Sequence, residues 1–206
     1  MKVKICGIMD AQTARKAVEF GADALGFVFA ESKRRISPDL GRDIIAHLPA
    51  DIHKVGVFVN EPKQRIEEIA DYCGLTHIQL HGEESPNFCK EISLPVIKAF
   101  NIGTPADLEL VNEYACDGFL LDSPKGAYRG GTGMSFDWSI LQDAELDGKR
   151  IILAGGLNSE NVAAAIRTAN PYMVDVSSGV ETDGKKDLEK INDFILAAKQ
   201  RGGATL

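Results

Sequence analysis

Apolar residues in this chain gather in short dense runs, and between the runs they recur at every third or fourth position. The two patterns alternate along the whole sequence. Ala24-Leu-Gly-Phe-Val-Phe29 is the clearest dense run, and nearly continuous apolarity of this kind marks a strand buried on both faces. Val3-Lys-Ile-Cys6 is a shorter run, and further strands are predicted at 54–59, 76–80, 96–100, 118–122, 150–154 and 172–176.

The intervening stretches carry helix-start chemistry. Residues 11–20 place Ala14, Ala17 and Val18 on one stripe, with Asp10 as cap and Gly21 as terminator. Pro38 follows a polar loop at 31–37, and Glu61-Pro62 opens a helix that runs to about Tyr72. Pro86 begins a short helix to Glu91, Thr104-Pro105 starts another at 104–112, and Asn158 caps one at 160–168. A long glycine-rich stretch at 123–135 precedes a short helix at 136–141, and a final helix is predicted at about 186–201.

Strands that alternate with helices imply a parallel sheet, because parallel neighbours need a crossover connection. The eight strand–helix units predict a compact α/β fold, a single (β/α)8 TIM barrel of eight parallel strands spanning residues 1–206. That length lies near the lower limit for such barrels. An open doubly wound sheet is the main competitor, but no GxGxxG follows the first strand.

Composition narrows the function. With 44% hydrophobic and 26% charged residues the chain can build a core. A net charge of −7 argues against nucleic acid or a membrane surface as partner, so an anionic ligand has to be held by local donors. No apolar stretch approaches the roughly 20 residues of a membrane span. Met1-Lys-Val-Lys4 lacks the apolar region of a signal peptide, and the expected location is the cytoplasm. Cys6, Cys73, Cys89 and Cys116 are scattered without zinc-type spacing and are expected to be free thiols.

In a barrel the carboxyl ends of the strands form one rim, which is the default site. Cys6 ends the first strand and Asp122 the sixth. A thiolate can act as general base and a carboxylic acid as its partner. An ordinary thiol titrates near about 8.5, so a lowered value is expected, with Lys4 on the same strand face as its source. Gly155-Gly156 and Ser177-Ser178-Gly179 follow the last two strands. Backbone N–H groups in such small-residue turns make an anion cradle, and barrels place phosphate at these two loops. Gly130-Gly-Thr-Gly133 lacks a P-loop ending and reads as a lid. His47, His53 and His77 read as structural.

The motifs Lys4-Ile-Cys-Gly7, Ser32-Lys-Arg-Arg-Ile36, Val55-Gly-Val-Phe-Val-Asn60, Gln79-Leu-His-Gly82, Leu120-Leu-Asp122, Gly130-Gly-Thr-Gly133, Phe136-Asp-Trp138, Ala154-Gly-Gly-Leu-Asn158 and Asp175-Val-Ser-Ser-Gly-Val-Glu181 occur in order along essentially the whole chain. Together they resemble the phosphoribosylanthranilate isomerase family of tryptophan biosynthesis. The resemblance implies an Amadori rearrangement of a phosphorylated substrate without metal or cofactor. It implies Cys6 as base, Asp122 as acid and Arg34 as holder of the anthranilate carboxylate, with Arg35 adjacent. His81 and Asp175 are expected near the ribose or the anthranilate; Asp175 could instead orient the phosphate turn. Either a monomer or a homodimer fits. The alternatives are a barrel that binds a sugar phosphate without turning it over, and another sugar-phosphate isomerase or epimerase. Metal-dependent epimerases would show several histidines at strand ends, where this rim offers only His81.

Overall fold

The computed structural model describes residues 1–123, 138–141, 146 and 148–200. Eight parallel strands close into a barrel in the order of the sequence. They are β1 (Lys2–Cys6), β2 (Ala24–Val28), β3 (His53–Phe58), β4 (His77–Leu80), β5 (Val96–Asn101), β6 (Gly118–Asp122), β7 (Ile151–Leu153) and β8 (Met173–Val176). Pairing of β1 with β8, Lys4 opposite Asp175, completes the ring. The predicted barrel is therefore the observed architecture.

The helices are α1 (Ala11–Glu19), α2 (Pro38–Ile45), α3 (Lys63–Cys73), α4 (Pro86–Glu91), α5 (Pro105–Glu109), α6 (Val162–Ala169) and α7 (Leu188–Lys199). Local chemistry sets their ends. Asp10, Ser37 and Ser85 each accept a hydrogen bond from a first-turn backbone N–H, and Gly74 terminates α3 at φ +71°. The helix expected at 104–112 is shorter, because after Glu109 the chain tightens into a 3₁₀ turn, Leu110–Glu113. Asn158 caps the turn ahead of α6, its Oδ1 accepting from the backbone N–H of Glu160 at 2.9 Å and of Asn161 at 3.1 Å. The expected helix at 136–141 is a 3₁₀ turn over Trp138–Leu141 within the described residues. The predicted lid, Gly130-Gly-Thr-Gly133, lies outside them.

The last helix was expected to begin at Lys186. Instead the chain first forms a small antiparallel hairpin, β9 (Glu181–Thr182) with β10 (Lys185–Lys186). Its turn residues, Asp183 and Gly184, have φ +51° and +77°. That is the conformation a two-residue hairpin turn needs, and Asp-Gly is a preferred pair for it. Asp187 then caps α7 by accepting from Glu189 and Lys190.

Two cores follow from strand alternation. Val3, Ile5, Leu25, Phe27, Ile78, Val174 and Val176 face outward and pack with the helices. Ala24, Val55, Ile97, Ala99, Leu120, Ile152, Ala154 and Met173 fill the barrel interior. Cys6, Val28 and Val57 form a layer of their own. Leu120 points inward, so Asp122, two residues on, shares that face at the open end of β6.

Candidate active site at the carboxyl rim of the barrel

Lys4 and Asp175 lie inside the barrel one step below the thiol. Lys4 Nζ, fully buried, is 2.9 Å from Asp175 Oδ1. Burial alone would push the Lys4 ammonium down, but attraction to Asp175 and Cys6 outweighs it and the group stays charged. Asp175 is therefore committed to an interior ion pair rather than standing open at the mouth.

Cys6 sits directly above and is buried. Gly26 on the neighbouring strand makes room for it, since a Cβ there would come within 2.7 Å of Cys6 Sγ and 3.1 Å of Cys6 Cα. The expected lowering of the thiol by Lys4 is not what the geometry produces. Lys4 and, further off, Lys186 do favour the thiolate, but burial and the Asp175 carboxylate work against them, and the Cys6 thiol is raised above its ordinary value. Burial is the largest cause, and it outweighs the pull of the Lys4 charge.

After Cys6 the chain turns at Gly7, φ +81°, and the backbone N–H groups of Gly7 and Ile8 both donate to Gly26 O, at 2.9 and 3.0 Å. A Cβ at Gly7 would run into Arg34 Cδ, so the Arg34 stem crosses over this turn. Its guanidinium then forms a two-pronged pair with Glu181, Nε to Oε1 at 2.6 Å and Nη2 to Oε2 at 2.7 Å. Arg35 behaves differently: it pairs with Glu31, and both side chains are exposed. Of the two candidate arginines, Arg34 is the one at the mouth.

On the other side of the mouth, Asp122 Oδ1 accepts from the backbone N–H of Ser123 at 2.8 Å, and Oδ2 lies 3.8 Å from His81 Nε2. The Gln79 amide contacts His81 Nδ1 at 3.3 Å, which leaves Nε2 facing Asp122. Glu84 steadies this loop, accepting from the backbone N–H groups of Asn60 and Gly82 and pairing with buried Lys98 at 3.2 Å.

The two glycine turns meet. Gly155 and Gly156 both have positive φ, +84° and +64°. A Cβ on Gly155 would collide with Ser123 and come 2.9 Å from Asp122 Oδ1, while one on Gly179 would strike the Leu157 carbonyl. The turn after β8 thus packs on the turn after β7, and the latter on the end of β6. Ser177 Oγ donates to Cys6 O at 3.1 Å, joining the same cluster to β1.

Sequence reasoning assigned no role to Glu181, Lys186 or Glu84. Lys186 Nζ, with its side chain 5% exposed, donates to Ser177 O at 2.8 Å and to Glu181 Oε1 at 2.7 Å. Burial would raise the Glu181 carboxyl, but hydrogen bonds from Arg34 and Lys186 hold it down to about 2. The Asp183-Gly184 turn was the one available signal for this hairpin.

His53 and His77 stack edge to face at 4.4 Å at the opposite end of the barrel, beside a cavity of about 130 Å³ lined also by Lys2, Arg150 and Tyr172. They lie away from the carboxyl rim, as their structural reading requires. No helix among the described residues is long and apolar enough to cross a membrane.

A closed (β/α)8 barrel with a thiol, a carboxyl, an anchored arginine and paired glycine turns around its carboxyl rim defines a small-molecule enzyme of the TIM-barrel class. Residues 3–197 match the family model "N-(5'phosphoribosyl)anthranilate (PRA) isomerase". An N-(5'-phosphoribosyl)anthranilate isomerase from Bacillus cereus (strain Q1) is 53% identical over 201 residues, 97% of this chain and 98% of the relative. The crystal structure of phosphoribosyl anthranilate isomerase from Thermotoga maritima superposes with a TM-score of 0.89 at 45% identity, covering 97% of this chain and 99% of that one. A crystal structure of such an isomerase in complex with reduced 1-(o-carboxyphenylamino)-1-deoxyribulose 5-phosphate gives 0.86 at 43% identity, with the same coverage. The chain belongs to the phosphoribosylanthranilate isomerase family, and it is an isomerase of tryptophan biosynthesis.

Proposed function

We propose that this isomerase converts N-(5'-phosphoribosyl)anthranilate to 1-(2-carboxyphenylamino)-1-deoxyribulose 5-phosphate with Asp122 as general acid and Cys6 as general base. The reaction needs one proton delivered and one removed. Asp122 protonates the furanose ring oxygen, the bond from C1′ to that oxygen breaks, and the anilino nitrogen lone pair forms the iminium. The Cys6 thiolate takes the C2′ proton, and the electron pair left behind neutralises the iminium as an enol-amine. Protonation at C1′ and loss of the enol proton give the ketone. Acid and base of opposite role on facing sides of one sugar are the minimum set.

The observation that carries this reading is topological. β1 and β6 are separated by β7 and β8 around the closed ring, and Cys6 and Asp122 both face inward at its carboxyl end. Arg34 suits the anthranilate carboxylate, because a guanidinium binds carboxylates through paired hydrogen bonds. Gly155, Gly156, Ser177, Ser178 and Gly179 form the phosphate cradle through backbone N–H groups. His81 backs Asp122. Asp175 acts from below through Lys4. Because the thiol is raised by burial, the thiolate is depleted as pH falls, and this sets the low-pH limb of the base-dependent rate.

The Thermotoga maritima relative is described as dimeric. Either a monomer or a homodimer suits this chain, since one barrel supplies every residue above. The substrate is a phosphorylated small molecule, the reaction uses no cofactor, and the enzyme works in the cytoplasm.

The test follows loss of phosphoribosylanthranilate fluorescence with EDTA present. Wild type turns over. Cys6→Ala and Asp122→Asn each lose about 10²- to 10⁴-fold in kcat/KM while keeping the wild-type melting profile. An EDTA-sensitive rate, or near-normal activity in either variant, overturns the assignment.

A further inference from the structure

The hairpin between β8 and α7 bonds to Arg34 and to the Ser177 turn, and through Ser177 it reaches the end of β1. Glu181 leads out of the turn after β8 and grips Arg34 through both carboxylate oxygens. Lys186 closes the hairpin from the facing strand, bonded to Glu181 Oε1 at 2.7 Å, to Ser177 O at 2.8 Å and to Ser177 Oγ at 3.4 Å. Ser177 Oγ in turn donates to the carbonyl of Cys6. Backbone pairing of Lys186 with Glu181 ties the two charges to one rigid turn.

Isolated surface pairs contribute little, but these groups are not on the surface. The Lys186 and Glu181 side chains are 5% and 8% exposed. Two cations on one carboxylate leave a net positive charge beside the thiol.

We propose that Glu181 and Lys186 are positioning residues that hold Arg34, the Ser177 turn and the carboxyl end of β1 in a single register. Carboxylate grip, phosphate turn and thiol are then set together by one hairpin. This rests on the roles given above to Arg34 and Cys6. The arrangement also divides the guanidinium. The edge made by Nε and Nη2 faces Glu181, and the remaining Nη1 edge is presented to a substrate carboxylate.

Among the described residues the charges that act on Cys6 are Lys4 and Asp175 from below, Arg34 from the loop after β2, and Lys186 from the hairpin, whose charge Glu181 partly offsets by pairing with it. Removing Lys186 therefore disfavours the thiolate, and removing the Glu181 charge favours it. A role limited to folding would not give opposite signs.

The experiment uses the full chain with Glu181→Gln, Lys186→Met and Lys186→Arg. Iodoacetamide labelling of Cys6 is followed against pH by mass spectrometry of the peptide that contains it, and kcat and KM are measured in parallel. Lys186→Met is expected to move the labelling profile to higher pH, slowing labelling about threefold or more on its lower limb. Glu181→Gln moves it to lower pH. Both variants lose up to about a hundredfold in kcat/KM, because a small misplacement of a binding group is enough for that. In Glu181→Gln the loss falls mainly on KM. Lys186→Arg restores most of the profile and of the rate. Shifts of the same sign, no shift, or a lower KM in Glu181→Gln overturn the proposal; the last would mean that Glu181 competes with substrate for Arg34. If wild type failed to turn over, the activity reading would fall, and the labelling profiles would still decide the hairpin's role.

Discussion

Replacing Lys4 by methionine removes one charge from the centre of the barrel and keeps most of the side-chain volume. In the native protein Lys4 Nζ is fully buried, 2.9 Å from Asp175, which is itself 7% exposed. The variant leaves that carboxylate buried without its cation. Breaking a buried ion pair from one side costs about 3–5 kcal/mol. For a domain of this size each kcal/mol corresponds to about 2–4 °C, so the melting temperature falls by roughly 6–20 °C. Removing both charges, as Lys4→Met with Asp175→Asn, costs far less, since no uncompensated charge remains. The sign with pH follows from the raised Lys4 value. The stability that comes from the Lys4 charge is fully present below the unfolded lysine value of about 10.4 and is lost as pH rises beyond it through the raised native value. Urea unfolding, followed by the fluorescence of buried Trp138 and compared at equal m-value, measures all three proteins. A single-variant loss under about 1 kcal/mol, or a double variant no more stable than the single one, would refute the argument.

Other consequences are equally specific. Gly26→Ala places a methyl group 2.7 Å from Cys6 Sγ; overpacking there costs about 1–3 kcal/mol, and displacement of the thiol lowers kcat/KM by up to about a hundredfold, both read from melting and steady-state rates. His77 is held down to about 4 by burial, with His53, Lys2 and Arg150 adding to it. The unfolded chain therefore binds the proton more readily, and stability falls as pH drops from about 6.5 toward 4. Discounted for partial exposure this is about 1–2 kcal/mol, and His77→Asn should flatten that limb of the stability–pH curve.

Most of the fold was legible because strands buried on both faces leave unbroken apolar runs, and because Asp10, Pro38 and Pro86 mark helix starts in the chain itself. Cys6 and Asp122 were legible as polar residues that end apolar strands. The pairing of Lys4 with Asp175 was not, since it joins residues 171 positions apart through the closure of β1 on β8. The direction of the Cys6 shift was missed for the same reason. Lys4 is on the expected face, but only the closed barrel shows that the sulfur is buried and that the Asp175 carboxylate lies beside it. The hairpin that carries Glu181 and Lys186 was hidden by the assumption that the final helix starts at once, although Asp183-Gly184 announces a tight turn. Close approaches such as Gly179 on the Leu157 carbonyl depend on two loops meeting in space, and nothing local encodes them.

Crystallising this enzyme with the reduced product analogue tests the acid–base pair most directly. The expected complex places Cys6 Sγ within about 3–3.5 Å of the carbon that loses its proton and the Asp122 carboxyl on the opposite side of the same pentose. The phosphate lies on the Gly155-Gly156 and Ser177–Gly179 turns. A complex with both side chains on one side of the sugar, or with the sulfur out of reach of that carbon, would contradict it.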